Sequence, residues 1–449
     1  MRRKFNPRWL LILPLLGLLC GGVYLLPPVH QRLAWRLDDL RAEIRTLFNP
    51  PEKLAFPSGG ATLAVAAVSP TPRPSRTPSA SPPAPFATLT PTHPQDTPLP
   101  SATPTLTSTP LPTAVNLTSP TFRYYHQHGL YNYCAPANLA MAVTFWGWKG
   151  DRLEVGNIVK PYAKDLNVMP YEMVNFAVEK AGLGGLVRVG GDVQMLKSLL
   201  LAGFPVLVEK GVHFQDLAGQ LTWMGHYTVV TGYDDRQGVF ITQDSYIEPG
   251  QNHPAPYETF MQEWRSFNYT YIVIYPPDRQ NDVLAALATQ ADETANYQYA
   301  AQLASNEIYS DLPDVERFFA WYNYGTNLVK LQDYGGAASA YDQAFAIYNS
   351  LPEDKSIRPY RILWYQTGPY FAYYYTARYQ TVIELATTAI QSVYYDDTAP
   401  EESLYWRGMA KLALGDTAGA IDDFRKSIKP YHPGFAPALE QLKLLGVEP

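Results

Sequence analysis

Cys134 is the sole thiol downstream of the first apolar run, and it opens the stretch Cys134-Ala135-Pro136-Ala137-Asn138-Leu139-Ala140-Met141. The spacing predicts a helix here: Pro136 suits a first turn, where its missing N–H costs nothing, and Leu139, Ala142, Val143 and Trp146 mark an apolar face. A cysteine at a helix N-terminus meets unpaired N–H groups and the positive end of the macrodipole, which favour thiolate over thiol. The same N–H groups can receive an oxyanion. The competing reading is a buried core cysteine, the usual fate of a lone free thiol.

A nucleophilic sulfur needs a base. His226 lies in Gly225-His226-Tyr227-Thr228-Val229-Val230-Thr231-Gly232-Tyr233-Asp234, followed by a polar turn at 234–238 and a second apolar run ending at Asp244. This reads as an antiparallel hairpin. If it is symmetric about Asp235, His226 and Asp244 face each other across the strands, a register that a bulge would shift. The carboxylate would then fix the tautomer and direction of the imidazole, leaving its other nitrogen for the thiol proton.

The helix start at Cys134, the strand Gly203-Phe204-Pro205-Val206-Leu207-Val208, the hairpin from Gly225 and the Asp244 that follows resemble the papain-like fold of the bacteriocin-processing, double-glycine cysteine peptidases. More closely, they resemble the broad group of stand-alone relatives of that family, number thirty-nine among the cysteine peptidases. The resemblance covers residues 120–276. It implies Cys134 as nucleophile, His226 as general base and then acid, and Asp244 as the orienting residue. It also implies a glutamine upstream that completes the oxyanion hole, for which Gln127, seven residues before the cysteine, is the candidate. Ala135 stands where relatives usually have glycine. No P-loop or multi-span region accompanies the domain, so the leader-processing role of transporter-linked members is not carried over.

The elements that must position these residues include helices over Pro170–Gly182 and Val193–Leu201 and a last strand over Thr270–Tyr275, all read as scaffold. Trp223 and Met224 adjoin His226 and are candidates for a substrate groove or for core. His126, His128 and His253 raise the question of a metal beside His226. A His-x-His pair with no positioned carboxylate or second cysteine is a weak ligand set, so no metal or cofactor is expected.

The chain of 449 residues is long enough for several domains, and its 40 prolines are unevenly placed. Two cysteines exclude a disulfide scaffold, and a net charge of -6 gives no reason to expect nucleic acid. Residues 9–26 form an apolar run of about 27 Å as a helix, just enough to span a bilayer. Arg2, Arg3, Lys4 and Arg8 before it hold residues 1–8 in the cytoplasm by the positive-inside rule and put the bulk of the chain outside. A cleaved signal peptide is the alternative. Residues 27–56 read as an amphipathic juxtamembrane helix. Residues 57–119 are so rich in Pro, Ser and Thr that no core forms, and they read as a disordered linker.

From Asp278 onward, within a segment set at 277–449, the pattern is helical. Trp321, Gly325, Tyr334, Ala337, Tyr341 and Ala344 have the intervals of tetratricopeptide repeats. Leu414-Gly415-Asp416, Ala420, Phe424 and Pro433 mark another unit, Tyr379 and Ala389 a degenerate middle one, and 282–308 a partial pair. Such arrays resemble protein-binding scaffolds, although an array that only braces its neighbour fits as well.

The expected architecture is therefore multi-domain: one transmembrane helix, a disordered linker, an α+β papain-like domain and an all-α repeat array. The expected function is hydrolysis of peptide or amide bonds through Cys134, His226 and Asp244 on a membrane-anchored, extracytoplasmic protein, with a peptide or protein substrate and a protein partner on the repeats. The rivals are a catalytically weak peptidase-like binding protein and an amidase or transglutaminase-like activity on wall peptides.

Overall fold

The computed structural model describes residue 22 and residues 112–130, 132–162, 165–215, 221–393, 400–428 and 434–449. The expected anchor over 9–26, the stem helix over 27–56, the linker up to residue 111 and Pro433 lie outside the described residues, Gly22 apart. No helix among the described residues is long and apolar enough to cross a membrane.

An antiparallel seven-stranded sheet carries the first folded region. Its strands are β1 (Ala114–Asn116), β2 (Gly184–Arg188), β3 (Val206–Gln215), β4 (Leu221–Asp234), β5 (Val239–Asp244), β6 (His253–Pro256) and β7 (Tyr271–Tyr275). The order is β2-β7-β3-β4-β5-β6, with β1 also paired to β4. Ordered structure thus begins inside the stretch 57–119 that was expected to be a disordered linker: Ala114 already pairs with Asp234.

Alternation along the strands divides the core between two faces. Leu207, Tyr227, Val229, Ile272 and Ile274 pack against α1 (Cys134–Phe145), α2 (Arg152–Val159) and α3 (Pro170–Glu179). Val206, Val208, Val230 and Val273 face the other way, against α4 (Val193–Leu201) and Val283 and Leu287 of a later helix. The helix α1 departs from the single apolar face read in the sequence, because every residue from Ala135 to Phe145 is buried. Alanines at 135, 137, 140 and 142 let it be enclosed on all sides. Ser119 and Thr121 donate hydroxyls to the Phe145 carbonyl at its C-terminal end, at 2.7 and 3.1 Å.

After α5 (Tyr257–Arg265) and β7 the chain is helical: α6 (Gln280–Leu287), α7 (Glu293–Ile308), α8 (Asp314–Lys330), α9 (Tyr334–Ser350), α10 (Ile362–Tyr365), α11 (Gly368–Tyr375), α12 (Tyr379–Gln391), α13 (Glu401–Ala413), α14 (Thr417–Ile428) and α15 (Ala436–Leu444). The pairs α8–α9 and α13–α14 are built alike. Gln332 and Gly415 turn the chain at positive φ, Asp333 and Asp416 cap the next helix, and Gly325 and Gly408 lie under Tyr341 and Phe424. A Cβ at Gly408 would stand 2.7 Å from the Phe424 ring, so only glycine permits that approach.

The helical region is joined to the sheet domain by a shared core. Trp223 and Phe267 lie in one apolar cluster with Phe318, Phe319 and Tyr322, which places Trp223 in the core rather than in a groove. Its ring stacks on Phe267 at 5.7 Å. Polar ties reinforce the seam. Asn268 and Asn327, both buried, exchange amide hydrogen bonds of 2.7 and 3.1 Å, and Arg265 pairs with Glu307 and Glu316.

Asn327→Ala leaves the Asn268 amide buried without its partner. It is expected to lower the unfolding free energy by about 1–3 kcal/mol in chaotrope titrations. An unchanged midpoint would show that the seam contributes nothing to stability.

Candidate functional site

Three elements bring the chemistry-bearing residues together. Cys134 is the first residue of α1, His226 lies in β4 and Asp244 ends β5. The hairpin does not have the register expected for it. Asp234 pairs with Val239, so the turn is the four residues 235–238 rather than one centred on Asp235, and a bulge between Val230 and Gly232 shifts the ladder again. Asp244 therefore opposes Thr228, while His226 pairs with Lys210 of β3. The two side chains nevertheless meet on the diagonal, within reach for side chains of this length. His226 Nε2 lies 2.9 Å from Asp244 Oδ2.

That pair is almost dry: His226 is 1% exposed and Asp244 3%. The other carboxylate oxygen, Oδ1, accepts from the backbone N–H groups of Tyr246 and Ile247 at 2.8 and 3.2 Å. Phe214 sets its ring edge-to-face on the imidazole at 5.2 Å. Nδ1 of His226 is buried without a well-formed hydrogen bond, which leaves it to the neighbouring Cys134 thiol. Burial opposes charge on the ring, yet Asp244 and Cys134 outweigh it and raise the imidazole to about 9. Burial also opposes ionisation of Asp244, but His226, Lys210 and the backbone donor at Tyr246 hold it well below the usual carboxylate range. For Cys134, burial pushes the thiol up. The His226 ring and the N–H groups of Tyr227 and Ala135 win and bring it below its ordinary value. These directions agree on a thiolate–imidazolium pair.

Asn138, one turn after Cys134, is a site residue that the sequence pattern does not reveal. Its side chain is fully buried, and its Nδ2 donates among three acceptors: the Cys134 carbonyl at 2.9 Å, the Tyr227 carbonyl at 2.7 Å and Ser245 Oγ at 2.9 Å. Tyr227 follows His226 and Ser245 follows Asp244. Ser245 Oγ in turn donates to Gln127 Oε1 at 2.8 Å, and the Gln127 N–H donates to the Ser245 carbonyl at 2.7 Å. Gln127 thus borders the same small cavity as Cys134 and His226, its carbonyl oxygen engaged and its amide nitrogen left to donate.

Met224 lines that cavity too, as do Glu209, Phe214 and Tyr365, the last from the helical region. A larger cavity of about 450 Å³ borders the far side of His226 and Asp244, between Phe214, Tyr246, Lys210 and Glu263. Among the described residues no three potential ligands are grouped to hold a metal ion. His126 and His128 lie ring to ring at 5.7 Å, and His128 approaches Glu248 at 3.4 Å.

The ion pair fixes a pH dependence. Asp244 is depressed, so its stabilisation is present above its unfolded value near 3.8 and is lost as pH falls. His226 is raised, so its stabilisation is complete below 6.5 and is lost as pH rises through about 9. The unfolding free-energy difference between the wild type and Asp244→Asn is therefore expected to peak between these limits and to shrink on both sides. A difference independent of pH in urea titrations would contradict the pairing.

Residues 120–272 match the sequence model of the Peptidase_C39 like family. Among solved structures, a protein from Bacillus anthracis described as a C39-like peptidase is 16% identical, with a TM-score of 0.28, 36% of this chain and 96% of that chain being covered. Xylellain, a cysteine protease from Xylella fastidiosa, is 18% identical, with a TM-score of 0.30 and coverage of 37% of this chain and 87% of that one. No curated protein matches the chain. The family match supports a cysteine peptidase-like function for the sheet domain.

Proposed function

We propose that the protein is a cysteine peptidase that hydrolyses peptide or amide bonds through Cys134, His226 and Asp244. The observation that carries this reading is the buried imidazole bonded to Asp244 at 2.9 Å, with its free nitrogen left to a half-buried thiol at a helix start. In the first step the Cys134 sulfur attacks the substrate carbonyl carbon, and the amine leaves with the proton held on His226. In the second, water gives a proton to His226 and its oxygen displaces the sulfur, releasing the acid and restoring the pair. The side-chain amide of Gln127, together with N–H groups at the start of α1, would receive the oxyanion. Asp244 holds the ring in the tautomer and direction that both steps need.

Around this centre the protein is proposed to be held outside the cell by the apolar segment over 9–26, lifted on the Pro/Ser/Thr-rich linker. The paired helices of the C-terminal region act as tetratricopeptide-like units for a protein partner. The glycine–tyrosine and glycine–phenylalanine contacts of α8–α9 and α13–α14 support that repeat reading.

Iodoacetamide alkylation of Cys134, followed by mass spectrometry of its peptide, tests the activated thiol. The wild-type rate is expected to persist below the pH at which a free thiol loses its thiolate, and His226→Ala is expected to slow it by about tenfold or more at neutral pH. Cys134→Ala should abolish turnover of any peptide that the wild type cleaves. Equal alkylation with and without His226 would leave only the rival reading, a peptidase-like binding protein.

A further inference from the structure

Glu209 lies in β3 directly opposite Tyr227, one residue beyond His226, and it lines the cavity that holds Cys134. It is 5% exposed, and no ion pair is formed by it among the described residues. Its neighbour Lys210 is turned away and engaged with Glu263 at 2.6 Å. A carboxyl group taken out of water with no cation beside it is costly unless something supplies one. Burial foremost, with Cys134 adding and the Tyr227 phenol opposing, raises Glu209 to about 8. The open space in the cavity is about 30 Å³, room for one or two waters. A guanidinium or an aromatic ring does not fit there, whereas an ammonium group is the size of a water. Leu166 and Met224 also line this cavity and are suited to the alkyl stem behind such a group.

We propose that Glu209 is a specificity-determining residue whose carboxylate receives a primary ammonium group of the substrate, in the cavity beside Cys134. The inference rests on Cys134 as the nucleophile of the proposed peptidase, and it assigns a substrate class to that site. Binding requires Glu209 to ionise, and the incoming ammonium then supplies the cation that its buried carboxylate lacks.

Matched methanethiosulfonates test it on the full chain. Aminoethyl methanethiosulfonate carries an ammonium group, and hydroxyethyl methanethiosulfonate is its neutral counterpart. Each rate at Cys134 is divided by its rate with a free thiol. The corrected ratio of cationic to neutral reagent is expected to be about tenfold in the wild type and near one in Glu209→Gln, with the fold checked by circular dichroism. A wild-type ratio near one, or a preference that survives Glu209→Gln, overturns the proposal. The neutral reagent alone reports thiol activation, so failure of the nucleophile reading is seen separately from failure of the subsite. Protection of Cys134 by Nα-acetyl-lysine methylamide assigns the ammonium to a side chain, protection by glycinamide assigns it to a peptide N-terminus, and protection by neither overturns the assignment.

Discussion

The side-chain amide of Asn138 is the constraint on which the rest of the site depends. One nitrogen, fully enclosed, binds the carbonyl of Cys134, the carbonyl next to His226 and the hydroxyl next to Asp244. Three elements far apart in sequence are thus fixed to one point, and Ser245 extends the tie to Gln127. Inside a protein, hydrogen bonds of this kind are strong and unforgiving, since a lost partner leaves a buried polar group unsatisfied. The thiol and imidazole need no direct covalent or metal bridge to stay close, because their backbones are pinned to the same amide.

Electrostatics builds on that frame. Asp244 is held ionised by two backbone donors and the imidazole, and the imidazole is held charged by Asp244 and the sulfur. Each group taken alone would be neutralised by burial. Taken together, they favour the charged forms against that burial in a nearly dry setting. Glu209, only one strand position from His226, shows the opposite outcome: with no cation it is pushed toward neutrality.

Much of this was legible in the sequence, for reasons that differ by residue. Cys134 stood out because proline, alanine and leucine after it define a helix start, and His226 and Asp244 because a polar turn separates two apolar runs. The detailed register was not legible. A four-residue turn and a bulge at Val230–Gly232 depend on local backbone choices that alternation of residue types does not encode, and two residues of slippage still let long side chains meet. Asn138 was hidden because two of its partners are backbone carbonyls, which carry no sequence signature. Glu209 was hidden because an acid at the end of an apolar run reads as a solvated strand end, and only β4 and the cavity reveal its burial. The helical character of the C-terminal region was legible in the spacing of residues such as Gly325, Ala337, Tyr341 and Ala344, whereas the close approach of Gly408 to the Phe424 ring shows only in the fold.

The segment around α10 reaches from the helical region to the cleft. Tyr365 packs on Gly225 and on the Trp223 and Phe267 rings, Gln366 donates to the Ser266 carbonyl at 2.6 Å, and the Tyr322 hydroxyl in turn donates to the Gln366 carbonyl. Gly225 immediately precedes His226. Close-packed interiors transmit displacement instead of absorbing it. The helical region is therefore seated against the peptide unit that precedes His226, so the fit of that seam bears directly on where the imidazole's backbone lies.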